Sequence, residues 1–367
     1  MRIRGFFFFA LFFGVVGALF CALFGACQIA GGDAGVEASY AFASGTGVLG
    51  STEGTGGDVP PVDKKAGPDR ISFMTWNTQH FFDAEAQGTE FSDFLGAKSR
   101  WSAEKYSARL DRLREGILLC GSSAGEGGDK GPDVVVLEEI ENARVIEDLC
   151  NRLPQRSRYR HLAFVPPGTG SAFSSAVLSR FPIKAVTAHS VFAGSVALRP
   201  LLEVTLDASG RPFTVFVAHW KSKVGDADST DIRSAQERLL YARITALESS
   251  ASGAAYTACG DFNQTRGEFA LMDDSGILNC WDDWFARCES GLAPGPKGSY
   301  YYEGAWETID HFFCPPSEDT GYEVADFRVV ATPPLTGLDQ LPARYEVYNG
   351  SGYSDHLPLV LVLKHPE

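Results

Sequence analysis

Pro132-Asp-Val-Val-Val-Leu-Glu-Glu-Ile-Glu-Asn142 decides how the chain is read. Val134 to Leu137 is a short apolar run without polar alternation, which fits a strand covered on both faces. It stops at Glu138-Glu139, and a short helix is expected from Asn142 to Leu153. Towards the N-terminus, Ile71 to Trp76 reads as a strand ending at Asn77. Ser102 caps a helix reaching Cys120, with Tyr106, Leu110, Leu113 and Ile117 at helical spacing. Downstream, strand-like runs at 174–180, 184–192, 199–207 and 212–219 are separated by short breaks such as Ser209-Gly210. A helix from Thr230 to Leu247 and a strand from Ala255 to Gly260 follow, then strands near 309–314, 324–331 and 357–363. Strands outnumber helices, and helices punctuate both halves. The pattern predicts an α+β fold, a two-sheet β-sandwich flanked by helices on both outer faces.

Chemistry-bearing residues gather where these strands end. Asn77 follows Trp76, Glu138 and Glu139 end the Val134 strand, and His219 closes Phe213-Thr-Val-Phe-Val-Ala218. Asp261 and Asn263 follow Cys259-Gly260, Asp310-His311 opens an apolar strand, and Asp355-His356 precedes Leu357. A strand end holds a side chain on a rigid support at the rim of a sheet, where loops leave a cleft. Carboxylates, amides and imidazoles converging there can hold a hard cation and move a proton. Each element alone has a plainer reading as a turn, a cap or a satisfied core histidine; their joint order carries the signal.

The 367 residues are 44% hydrophobic and 21% charged, the balance of a globular protein. The formal net charge of −14 argues against a broad basic face for duplex DNA, yet leaves room for a cleft where a cation meets phosphate. Residues 1–26 have the plan of a secretory signal, with Arg2 and Arg4 before an apolar run. Leu23-Phe-Gly-Ala-Cys27 then resembles a lipoprotein processing site with Cys27 as the lipidated residue, and an uncleaved anchor is the second reading. Simple secretion is the third reading; all three place the domain outside the cytoplasm, the first two attached to a membrane. Residues 27–69 are a Gly/Ser/Ala-rich tether without periodicity, about 35 Å from end to end as a coil. The domain is expected from 70 to 367. No C-x-x-C pair suggests zinc. Cys280 with Cys288, or Cys120 with Cys150, could form a disulfide in an oxidising compartment, whereas Cys259 and Cys314 read as buried apolar residues.

Asn77, Leu137-Glu-Glu-Ile140 with Glu141-Asn142, His219, Gly260-Asp-Phe-Asn263, Ile309-Asp-His311 and Ser354-Asp-His356 stand in the order of the endonuclease/exonuclease/phosphatase superfamily, which the chain resembles across nearly all of 70–367. Asn77-Thr-Gln-His-Phe-Phe-Asp83, Arg100-Trp101, His219-Trp-Lys-Ser-Lys223 and Gly298-Ser-Tyr-Tyr-Tyr-Glu-Gly304 are similar to its bacterial exported nucleases. The resemblance implies a two-sheet sandwich and a metal-dependent phosphodiesterase. Glu139 would be the main metal ligand, with Asn77 and Asp355 supporting an Mg²⁺ or Mn²⁺ ion. Asp261 and Asn263 would position water and phosphate, His356 would act as base or phosphate contact, and Asp310 would orient it. His219 would meet the phosphate or the leaving oxygen. Lys221 and Lys223 either add charge beside the phosphate or form a solvated loop. Two departures stand out: Glu138 where the superfamily has Gln, and Gly170-Ser-Ala-Phe-Ser-Ser175 where related nucleases carry an arginine. The expected substrate is nucleic acid, cleaved by a monomer; a sphingomyelin-like phospholipid or an inositol phosphate is the alternative.

Overall fold

Alternate side chains of Phe213-Thr-Val-Phe-Val-Ala-His219 serve two different cores. Phe213, Val215 and Val217 join the main core, whereas Phe216 and Ala218 pack with Leu240 and Ile244 of a covering helix. A strand buried on both faces sits between two layers, and the layers repeat across the molecule. The computed structural model describes residues 39–41, 67–95, 99–168, 171–193, 196–223, 229–292 and 295–366. The expected signal segment and Cys27 lie outside the described residues, as does most of the expected tether. Among the described residues no helix is long and apolar enough to cross a membrane.

The principal elements are β1 (Arg70–Phe81), α1 (Ala103–Ser123), β2 (Val134–Ile140), α2 (Ala143–Arg152), β3 (His161–Phe164), β4 (Ser174–Ser179), β5 (Ile183–His189), β6 (Leu201–Ala208) and β7 (Arg211–His219). They continue with α3 (Ser229–Ser250), β8 (Ala255–Asp261), α4 (Trp281–Glu289), β9 (Tyr300–Tyr302), β10 (Ala305–Glu307), β11 (Asp310–Cys314), β12 (Glu323–Val329) and β13 (Leu359–Lys364). One sheet has the order β3-β4-β2-β1-β13-β12, and Ser39–Ala41 of the expected tether adds a short parallel strand beside β3. The other has the order β11-β8-β7-β6-β5, with Leu278–Asn279 beside β11. The sheets meet face to face, with the Phe73 and Phe213 rings 5.1 Å apart across the seam. The predicted sandwich is therefore the observed one.

The Ser102 cap is the one read from sequence: its side chain accepts from Lys105 N at the start of α1, and at the start of α2 Asn142 accepts from Val145 N in the same way. Helix α4 escaped the reading because Cys280 at its N-cap makes no side-chain hydrogen bond. Helix α1 lies close on the first sheet, since a Cβ on Gly116 would stand 2.5 Å from the Trp76 ring. The described cysteines are free: Cys120, Cys150, Cys259, Cys280 and Cys314 are buried, and neither pairing considered from spacing is formed.

Candidate active site

Period-two alternation decides which strand-end residues enter the seam. On β1, Phe73, Thr75 and Asn77 share a face; on β7, Val215, Val217 and His219; on β8, Cys259 and Asp261; on β11, Asp310, Phe312 and Cys314. Register then aligns them, because His219 pairs with Asp261 and Asp261 with Asp310. His311 has the other parity. Its Nε2 lies 2.8 Å from Gln264 O and its ring stacks on Phe313, so it belongs to the α3-side core.

His356 arrives from the loop before β13. Its Nδ1 lies 2.8 Å from Asp310 Oδ2, which also accepts from Ser299 Oγ at 2.5 Å. Trp76 Nε1 donates to His356 O, and Ser354 Oγ donates to Asn77 O, tying the loop to β1. Asp261, Asp310 and His356 offer ligand atoms all within 4.8 Å of one another. Asn77 Nδ2 donates to Asp261 Oδ2 at 3.0 Å and to Glu139 Oε1 at 3.3 Å, while its oxygen accepts from Gln79 N. His219 Nε2 stands 3.7 Å from Glu139 Oε1 and 3.9 Å from Asp261 Oδ2. Asn263 N donates to Asp261 Oδ1, and its amide donates to Trp220 O. The predicted Asn77, Glu139, His219, Asp261, Asn263, Asp310 and His356 therefore form one connected group. Asp355 is half-buried beside it, and its charge acts on His356.

The rim expected to be open is more enclosed than the sequence suggests: His219 and Asp261 are 3% exposed, Asp310 2% and His356 7%. Electrostatics follow from that burial. Burial works against protonation of His356, yet Asp310, Asp261 and Asp355 hold it well above the usual histidine value. His219 is driven well below that value by burial, then by Arg199 and His356. Burial and the facing Asp310 push Asp261 up to about 7. Glu138 turns into the seam, accepts from Thr75 Oγ1 and is held well above the usual carboxyl range by burial and Asp310. Its Oε2 and Asp310 Oδ1 have no hydrogen-bond partner. Crowded carboxylates with an orphaned oxygen are a donor set suited to a hard divalent cation.

The lysines occupy less direct positions. Lys223 Nζ lies 3.0 Å from Glu268 and 3.8 Å from Glu307, so its charge is shared between carboxylates. Lys221 N donates to Gln236 Oε1.

Two arginines were not foreseen. Arg199 donates to His219 O and Trp220 O, and its charge reaches Glu139 and Asp261. Arg109, 1% exposed, donates to the carbonyls of Thr78, Gln79 and His80. Those carbonyls belong to the irregular end of β1, where the register with β2 shifts between Asn77 and Phe81 and Gln79 and His80 have φ of 54° and 55°; Glu139 and Asn263 also take positive φ, 63° and 49°. Each costs of order 1–3 kcal/mol in a non-glycine residue. Glu139 accepts from His80 N, which fixes the re-aimed carboxylate. Arg109 stands at a helical position among the apolar residues of α1, the one local signal that it is buried.

The model of the endonuclease/exonuclease/phosphatase family matches residues 74–356, and the chain belongs to that family, whose members are metal-dependent phosphodiesterases and hydrolases. No curated protein matches the sequence. Among solved structures, C. elegans TDP2 is similar with a TM-score of 0.52 and 15% identity, over 80% of this chain and 75% of that one. D. rerio TDP2 complexed with single strand DNA product has a TM-score of 0.50 and 15% identity, over 81% and 100%. Beta toxin 275-280 from Staphylococcus aureus has 0.52 and 14%, over 79% and 99%. At such identity these likenesses show a shared fold.

The Asp310–His356 pair has a signed pH signature. A histidine raised above its ordinary 6.5 contributes stability fully below that pH and loses it as pH rises through the folded value. In metal-free protein, the His356 imidazole followed by NMR should stay protonated well past pH 6.5, and Asp310→Asn should bring its midpoint down. The same substitution should slow turnover less than His356→Ala, which is expected to cost at least about 10²-fold. An unchanged His356 midpoint in Asp310→Asn would break the assignment.

Proposed function

We propose that the chain is an exported, Mg²⁺- or Mn²⁺-dependent phosphodiesterase that cleaves nucleic acid as a monomer. The observation that carries the reading is the convergence of Asp261, Asp310 and His356 within 4.8 Å, joined through Asn77 to Glu139. A phosphodiester is anionic and resists attack, and a divalent ion, when bound, would neutralise it and polarise its oxygens. Glu139 with Asp355 would hold that ion, and Asn77 would orient Glu139 through its amide nitrogen.

The protein's own groups divide the proton work by their charge state. His356 Nδ1 is occupied by Asp310, so Nε2 is the nitrogen left to donate to a phosphate oxygen. Asp261, near neutrality in its affinity for a proton, can take one from the attacking water. Asn263 is fixed beside it by the Asp261 turn. His219, buried and neutral, can donate a hydrogen bond to the phosphate without adding charge.

Nucleic acid is favoured over lipid by the hairpin beside His356, whose exposed residues Tyr302, Glu303, Gly304 and Ala305 include no large aliphatic side chain. The single strand DNA product held by a protein of the same fold supports the same choice. The S. aureus beta toxin likeness keeps lipid as the reading to test against.

Plasmid DNA, RNA, sphingomyelin vesicles and inositol phosphates should be assayed side by side. EDTA should abolish hydrolysis, and Mg²⁺ or Mn²⁺ should restore it on DNA or RNA. Full turnover in EDTA, or activity on sphingomyelin alone, would contradict the proposal. For location, the mature protein should partition into the detergent phase with the membrane fraction, and Cys27→Ser should block processing. A membrane-bound chain still beginning at Met1 would instead support the uncleaved anchor.

A further inference from the structure

Strand β9 is the run Tyr300-Tyr-Tyr302, and Tyr302 pairs with Ala305 of β10 around Glu303-Gly304. Alternation sends Tyr301 to one face, where it meets its cross-strand partner Trp306 at 5.3 Å. Tyr300 and Tyr302 share the other face, with ring planes within 13° of parallel and centroids 6.2 Å apart. The face begins at the catalytic group: the Tyr300 ring lies 4.7 Å from that of His356, and the two residues form a backbone bridge. It ends in solvent, since Tyr302 is 49% exposed. A half-exposed ring at the tip of a two-stranded hairpin adds little to folding.

A cation adjoins this face. Arg344 is exposed and forms no ion pair among the described residues; its segment is tied to the loop leading to His356, where Tyr353 N donates to Ala343 O at 2.5 Å, and its charge acts on the Tyr300 hydroxyl. Flat rings leading away from a phosphate-binding histidine, with an arginine alongside, match the needs of a single strand. Bases have π-faces of any sequence to stack, and each carries a backbone phosphate.

We propose that the Tyr300–Tyr302 face is a stacking platform for the bases flanking the scissile phosphodiester of single-stranded nucleic acid, with Arg344 meeting a neighbouring phosphate. The proposal rests on the nucleic-acid reading above and adds the part of the substrate that is recognised. Tyr300 would carry the base nearest the cut, and Tyr302 the next.

The full chain with Mg²⁺ should be given a single-stranded oligonucleotide and an oligomer of equal length whose sugars bear no bases. Stacking predicts that Tyr302→Ala raises KM for the normal oligonucleotide at least about 5-fold, whereas Tyr302→Phe keeps the parent value. Tyr302→Ala should leave the baseless oligomer, already a poor substrate, within about 2-fold of its parent KM, since one lost stacking partner is all that separates the two proteins there. Arg344→Ala should raise KM for both oligomers alike, because both carry phosphates. Equal KM for the two oligomers in the parent, or no effect of Tyr302→Ala on the normal one, would overturn the platform while leaving the nuclease reading intact. Loss of sphingomyelin hydrolysis in Tyr302→Ala, with oligonucleotide cleavage unchanged, would make the hairpin a lipid contact and overturn it as well. A parent protein that cuts neither oligomer would refute the nucleic-acid reading and the platform together.

Discussion

The 2.8 Å contact between Asp310 Oδ2 and His356 Nδ1 is the interaction on which the site depends. It joins the last strand of one sheet to the loop entering β13 of the other. It also places a positive charge among Asp261, Asp310 and Asp355 where water is scarce. Burying a carboxylate is costly unless charge or hydrogen bonds compensate, and removing the partner of a buried pair leaves that cost exposed. One imidazolium and one amide, Asn77, face Glu139, Asp261 and Asp310. Negative charge remains in excess, and Asp261 responds by rising to about 7. The excess is the physical reason to expect a cation here.

The geometry is held from behind by groups that never meet substrate. Arg109 gathers three carbonyls at the irregular end of β1 and stacks 3.8 Å from the centre of the Tyr345 ring. The Gln79 side chain is bound at both ends by the Tyr345 backbone, accepting from its N–H and donating to its carbonyl. These contacts hold Gln79 and His80 in left-handed backbone, and His80 N in turn holds Glu139. Strain at the strand ends is thus balanced by a buried guanidinium on α1, which couples helix packing to the aim of the Glu139 carboxylate.

Much of this was legible in the residues because period two is a strict rule. Once Phe213, Val215 and Val217 face the seam, His219 must follow them, and Asp261 and Asp310 obey the same parity on their strands. Glu139 breaks the rule: parity sends Glu138 into the seam, and only a positive φ re-aims Glu139. Local propensity does not announce such a twist in a glutamate; the resemblance alone singled out Glu139, and the place of Glu138 was open until the backbone was known. The depth of burial was hidden for a related reason, since it depends on how loops from both sheets close over the strand ends. Arg109 and Arg199 were missed because their partners are main-chain carbonyls, which leave no mark in side-chain identity. The tyrosine run was visible as a motif, but its parallel rings and its contact with His356 appear only once β9 is paired.

The central claim is that Glu139 and Asp355 hold a cation whose arrival displaces the proton of the neighbouring buried Asp261. Titrating the full chain calorimetrically with Mn²⁺, in buffers of different ionisation enthalpy, measures ion binding and proton release together. With Asp261 near 7 in the ion-free protein, each bound ion should release a fraction of a proton at pH 7, more at pH 6 and little at pH 8.5. Absence of Mn²⁺ binding, or binding whose heat is independent of buffer at all three pH values, would contradict the account.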